Sequence, residues 1–174
     1  MSFPSDPYFA LQWHLYNENP DQLDLNLIGV WPGEGAAGPV YTGAGVRVAI
    51  LADGFDYNHP DLRRNYDRAL DHDFEFGSGD AVATGPSGTA MAGLIGAAAD
   101  GRGAVGVAYD STLIGYRMRD AYAPELTDDL AGALLRAADD RADVLVVQRP
   151  QSDVPEGLPP ETEGEAGFRK AVQV

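Results

Sequence analysis

The chain has no cysteine among its 174 residues, which excludes disulfide frameworks and thiol chemistry and leaves the redox compartment unread. It has no apolar run approaching the ~18 residues of a membrane span. Positive charge is scarce: 12 Lys and Arg stand against 27 Asp and Glu, a net charge of −15. That balance speaks against nucleic acid and anionic membrane surfaces as partners, since both are polyanions. It suits cation binding and solubility. Histidine is limited to His14, His59 and His72, so there are few candidates for a neutral-pH base. Residues Met1 to Asp6 hold no basic stretch followed by an apolar core and do not read as a Sec-type signal peptide.

What is present is an apolar fraction of 44%, enough for one globular domain with a core and too short a chain for two ordinary ones. In the N-terminal 30 residues Phe9, Leu11, Trp13 and Leu15 are spaced two apart, and Tyr8, Trp13 and Trp31 read as packing this arm onto the body. A glycine-rich connector follows over 33–45. Its Gly43-x-Gly45 precedes a strand, whereas a dinucleotide-binding Gly-x-Gly follows one, so no nucleotide site is expected. Val46 to Leu51 is an apolar, β-branched run broken only by Arg47, which predicts a buried parallel strand ending in a tight loop. Residues 63–86 are polar with scattered aromatics and read as an irregular excursion. Thr89 to Ala99 is almost wholly Ala, Gly, Met, Leu and Ile. It predicts a buried central helix, with Ser87 as its N-cap. Further strands are predicted over Ser111–Met118 and Ala142–Val147, with an amphipathic helix between them over Thr127–Asp139. Residues 149–174 read as a Pro/Glu/Gly-rich linker, acidic over 153–165, with one helical turn near Phe168–Val172. The division is then 1–148 for the domain and 149–174 for the tail. Strands alternating with helices make this an α/β protein with a parallel sheet.

Two segments carry chemistry. The first runs Val48-Ala-Ile-Leu-Ala52-Asp53-Gly54-Phe-Asp-Tyr-Asn-His59-Pro60-Asp61-Leu62, and the second Gly85-Pro-Ser87-Gly88-Thr89-Ala-Met-Ala-Gly93. Both resemble the subtilisin/kexin family of serine proteases (subtilases), nearest its kexin-like branch. Asp6-Pro-Tyr-Phe-Ala-Leu-Gln-Trp-His-Leu15 and Gly106-Val-Ala-Tyr109 resemble the same family, in the same order, and the likeness extends to about Val147. The resemblance implies a parallel sheet with helices on both faces, incomplete at its C-terminal side, and a setting either bacterial extracellular or cytoplasmic. In the family the first segment carries the catalytic aspartate and the second the catalytic histidine. Here those positions are Ala52 and Ser87, and the nucleophile segment is absent. A serine protease needs an imidazole to take the hydroxyl proton and a carboxylate to orient that imidazole. Ala52 cannot orient a base, and Ser87 cannot be one. Asp53, one residue further along a strand end, is expected to point to the opposite side. Where the family has a substrate-pairing strand, this chain has Val146-Val-Gln-Arg-Pro150, and proline has no N–H to give.

The expectation is therefore a catalytically inactive subtilase homologue, a structural or binding module. The alternative is a serine endopeptidase active only with a separate C-terminal half. The resemblance also implies a calcium ion, held by Asp6, Asp61 and Asp100 and by the carbonyls of Ala98, Arg102 and Ala104, a set with the oxygens that calcium takes. An apolar sheet edge at Ala142–Val147 is expected to attract a protein partner or a second copy.

Overall fold

The computed structural model describes residues 4–19, 21–27, 30–31, 40–118 and 126–148. The tail over 149–174, and with it Arg149, Pro150 and the helical turn near Phe168, lies outside the described residues.

The apolar run forms strand β1, Arg47–Ala52, whose last five residues are buried. It pairs in parallel with β3 (Thr112–Arg117) on one side and with β4 (Val144–Val147) on the other. A two-residue strand β2, His72–Asp73, pairs in parallel with the end of β3, giving the order β2-β3-β1-β4. β1 reads apolar throughout because both of its faces are covered. Val48, Ile50 and Ala52 pack with Ala92 of helix α1 (Ser87–Gly96), Phe55, Leu62 and Leu113. Ala49 and Leu51 point to the other face, against Ile114, Tyr116, Ala133 and Ala137, the last two from helix α2 (Leu126–Asp139). Each fully buried Leu or Ile contributes roughly 1.5–3 kcal/mol relative to an exposed one, so these two half-cores fix the sheet between its helices. Among the described residues no helix is long and apolar enough to cross a membrane.

The N-terminal arm docks through a third cluster: Leu15, Leu27 and Trp31 pack on Val105. The Trp31 indole donates to the Val107 carbonyl at 3.0 Å, and the Gln12 amide both donates to and accepts from the Val105 backbone at 2.8 and 3.0 Å. Of the three aromatics expected to pin the arm, only Trp31 does so; Trp13 and Tyr8 are exposed at 64% and 58%.

The excursion over 63–86 is more ordered than its composition predicts. It holds a short 3-10 turn at Arg68–Leu70 as well as β2. The central helix differs from expectation in two ways. It starts at Ser87, with Pro86 as the preceding residue and no cap from that residue's own side chain. It is also buried on one face only: Gly88, Ala92 and Gly96 are covered, while Leu94 is 48% exposed. Its uncovered residues Ala90, Gly93 and Leu94, with Leu62, Pro86 and His59, line a groove of about 640 Å³.

Candidate functional site at the end of the first strand

β1 delivers Ala52 to the point where the sheet meets the start of α1. Ala52 is fully buried, and a Cβ built on Gly88 would sit 3.0 Å from the Ala52 Cβ, so this corner is packed as core. The chain then turns at Gly54, which has φ +97° and lies so close to Val82 that a side chain there would overlap the Val82 carbonyl at 2.2 Å. That turn redirects Asp53. Strand alternation predicts that Asp53 faces away from α1; instead its carboxylate points at the helix. Oδ2 accepts the Ser87 hydroxyl at 2.6 Å and the Ser87 amide at 3.2 Å, and Oδ1 accepts the Gly88 amide at 2.5 Å. The first amides of a helix have no partner within it and sit at its positive end, so a carboxylate there is favoured twice, by hydrogen bonding and by the helix dipole. Asp53 thus caps α1 from another part of the chain, and Ser87 is the first capped residue, not the cap itself.

Two more ties hold the junction. The Thr84 amide and hydroxyl donate to the Asp53 carbonyl at 2.9 and 2.7 Å, and the Asp56 amide donates to the Thr89 hydroxyl oxygen at 2.9 Å. A Cβ on Gly85 would fall 2.3 Å from the Asp53 carboxylate. The arrangement can bind a hydroxyl and two amides to one carboxylate; it has no imidazole. His59 is spent inside its own turn, where its Nδ1 accepts the Asp61 amide at 3.3 Å. His72 lies in β2 with its ring 4.6 Å from that of Phe74, and burial lowers its affinity for a proton. His14 stands edge-on to Trp13 in the arm.

The second set of sequence-derived residues meets at the loop after α1. Asp6 is 4% exposed, and its Oδ1 accepts the amides of Asp100, Gly101 and Arg102 at 3.2, 3.1 and 3.2 Å. Asp61 Oδ2 accepts the Ala104 amide at 3.0 Å, and the Asp61 carbonyl accepts the Ala98 amide at 2.9 Å. Gly103, at φ +52°, passes so close to Asp61 that a Cβ would fall 2.1 Å from its carboxylate. Asp100 Oδ1 is buried and has no partner, an atom suited to a cation. Its Oδ2 lies 3.9 Å from Arg102 Nε. Asp6 and Asp61, by contrast, are already supplied with amide donors. Among the described residues no three His, Cys, Asp or Glu side chains gather as a metal ion would draw them.

Comparison with known proteins places these two regions in context. The sequence profile of the subtilase family matches residues 43–147. Neuroendocrine convertase 2 of Drosophila melanogaster is 41% identical over 138 residues, covering 72% of this chain and 20% of that protein. The PC3-like endoprotease variant B of Hydra vulgaris is 35% identical over 153 residues, covering 82% of this chain and 20% of its own length. The chain therefore spans about a fifth of the length of these curated relatives. Among solved structures, a serine protease of Aeromonas sobria superposes with a TM-score of 0.76 at 25% identity, over 99% of this chain and 30% of that one.

Proposed function

The chain belongs to the subtilase family, and from that premise we propose that it is a non-catalytic member, a subtilisin/kexin-like framework that serves as a structural or binding module. One observation carries the reading. Where the family resemblance puts a carboxylate there is the buried methyl of Ala52, and where it puts an imidazole there is the Ser87 hydroxyl, which gives its proton to Asp53 at 2.6 Å. General-base catalysis needs a group that takes a hydroxyl proton near neutral pH and passes it to the leaving group. An alcohol cannot do this, and the Asp53 carboxylate is occupied by the Ser87 hydroxyl and by the Ser87 and Gly88 amides.

The test is direct. The purified chain is incubated with a panel of fluorogenic peptides and, separately, with a fluorophosphonate that labels activated serines. No turnover and no label are expected. Turnover that the fluorophosphonate abolishes would overturn the reading.

The proposal includes calcium. Asp6, Asp61 and Asp100, with the carbonyls of Ala98, Arg102 and Ala104, would hold the ion, and binding would have to draw the three carboxylates together around it. The unpartnered Asp100 Oδ1 supports this. Because the loop now turns amides toward Asp6 and Asp61, binding would have to exchange those bonds for carbonyl ligands, so we place the site at modest affinity. The β4 edge completes the proposal as the surface for a protein partner or a second copy: among the described residues no strand pairs beyond β4, and Val144 and Val147 are exposed there at 46% and 39%.

A further inference from the structure

A buried polar cluster lies at the β2 end of the sheet, away from both regions above. Asp71, the residue before β2, is 1% exposed. Both of its carboxyl oxygens, the Tyr66 hydroxyl and Asp80 Oδ1 are shut off from solvent and lack a partner at hydrogen-bonding geometry. The Tyr66 hydroxyl lies over Gly115 of β3, so that a side chain there would overlap it. Asp71 is faced by that hydroxyl, by the amides of Gly115 and Ala81, and by the Asp80 carboxylate. Tyr57 and Arg68 are the next charged or titratable groups: Arg68 sits 4.1 Å over the Tyr57 ring and reaches Asp80 at 3.4 Å. Among the described residues no cation pairs with Asp71.

A buried carboxylate with no cation and incomplete hydrogen bonds is far less favourable than its neutral acid, which can also donate. The same stretch of chain is tied to the junction at Ser87. The Ala81 carbonyl accepts the Phe55 amide at 2.8 Å, the Ala83 amide donates to the Phe55 carbonyl at 3.2 Å, and the Thr84 amide donates to the Asp53 carbonyl at 2.9 Å. We infer that Asp71 is a proton-operated latch: when it is neutral the segment 71–84 is closed onto β3 and the Gly54 turn, and when it ionises that segment loosens and with it the capped start of α1.

Burial raises the Asp71 pKa from 3.8 to about 6. The sign follows. The folded state keeps a proton that the unfolded chain releases, so the stabilising contribution is full below 3.8 and is lost as pH rises through about 6. Hydrogen exchange of the Ala83 and Thr84 amides, corrected for intrinsic rates, tests this. Between pH 4.5 and 7.5 the opening constant is expected to rise about tenfold or more in the natural chain. It should stay level in Asp71→Asn, and in Asp71→Ser as a second neutral form. No rise in the natural chain, or an equal rise in a neutral variant that folds, would overturn the inference.

Discussion

The two regions that the sequence marks as functional share one device and differ in what it leaves over. At the end of β1, Asp53 takes a hydroxyl and two amides from the start of α1. At the loop after α1, Asp6 takes three amides with a single oxygen. In both places a carboxylate from a distant stretch organises exposed backbone donors. The first region is packed tight: Ala52 is core, Gly88 lies against it, and the Asp53 carboxylate and the Ser87 hydroxyl are paired with each other. The second region retains a surplus, the buried and unpartnered Asp100 Oδ1. The framework of a site is thus separable from its chemistry. Glycines and backbone amides hold the shape, and one or two side chains decide whether anything reacts or binds there.

The sharpest way to break this comparison is to put charge back into the closed region. Ala52→Asp places a carboxylate at a fully buried position beside Asp53, and is expected to destabilise the chain by about 3 kcal/mol or more in urea unfolding. Adding Ser87→His should recover part of that loss by supplying a partner, still without hydrolysis of a fluorogenic peptide. A well-folded Ala52→Asp chain would show that the corner is not core.

Asp53→Ala comes next. It removes the acceptor of three bonds and should cost roughly 2 kcal/mol, whereas Ser87→Ala loses one hydroxyl bond and should cost about 1 kcal/mol or less. Equal costs would mean that Asp53 does not cap the helix.

At the second region, Asp6→Ala should release the N-terminal arm, at a cost of about 1–2 kcal/mol, and speed proteolysis within the first 30 residues. The natural chain should gain a few degrees in Tm with millimolar calcium over chelator, since a ligand that binds only the folded form stabilises it by RT ln(1 + [L]/Kd). Asp100→Asn should erase that gain with little effect on the chelator value. A calcium shift that survives in Asp100→Asn would move the site elsewhere.

The smallest expected effect is at the sheet edge. Val147→Lys should leave the unfolding free energy within about 0.5 kcal/mol of the natural chain and abolish concentration-dependent association in sedimentation. A natural chain that stays monomeric at high concentration would remove the edge from the proposal.

Much of the architecture was legible in the residues. A short apolar, β-branched run closed by a turn reads as a strand covered on both sides, and Val46 to Leu51 predicted β1 to within a residue at each end. Leu130, Leu134 and Ala137 at helical spacing predicted α2. β2 was not legible, because two residues carry no periodicity; His72 and Asp73 are a strand only by virtue of Tyr116 and Arg117 beside them. The open face of α1 was missed for a related reason. A helix free of charge reads as buried, yet burial depends on which neighbours are present, and Leu94 has none on one side. Trp13 and Trp31 are the same residue type in the same arm, and only their surroundings separate an exposed ring from one seated on Val107.

The sequence by itself determined where β1, β3, β4 and α2 lie to within a few residues and that positions 52 and 87 hold a methyl and a hydroxyl. These are properties of residue type and of spacing over a few residues, which local sterics and apolar periodicity settle. Tertiary structure alone decided that Asp53 turns toward α1 and that Asp71 is sealed against β3. The direction of a side chain past the end of a strand, and the environment of a carboxyl, are set by backbone that arrives from tens of residues away: Val82 behind Gly54, and Gly115 above Tyr66.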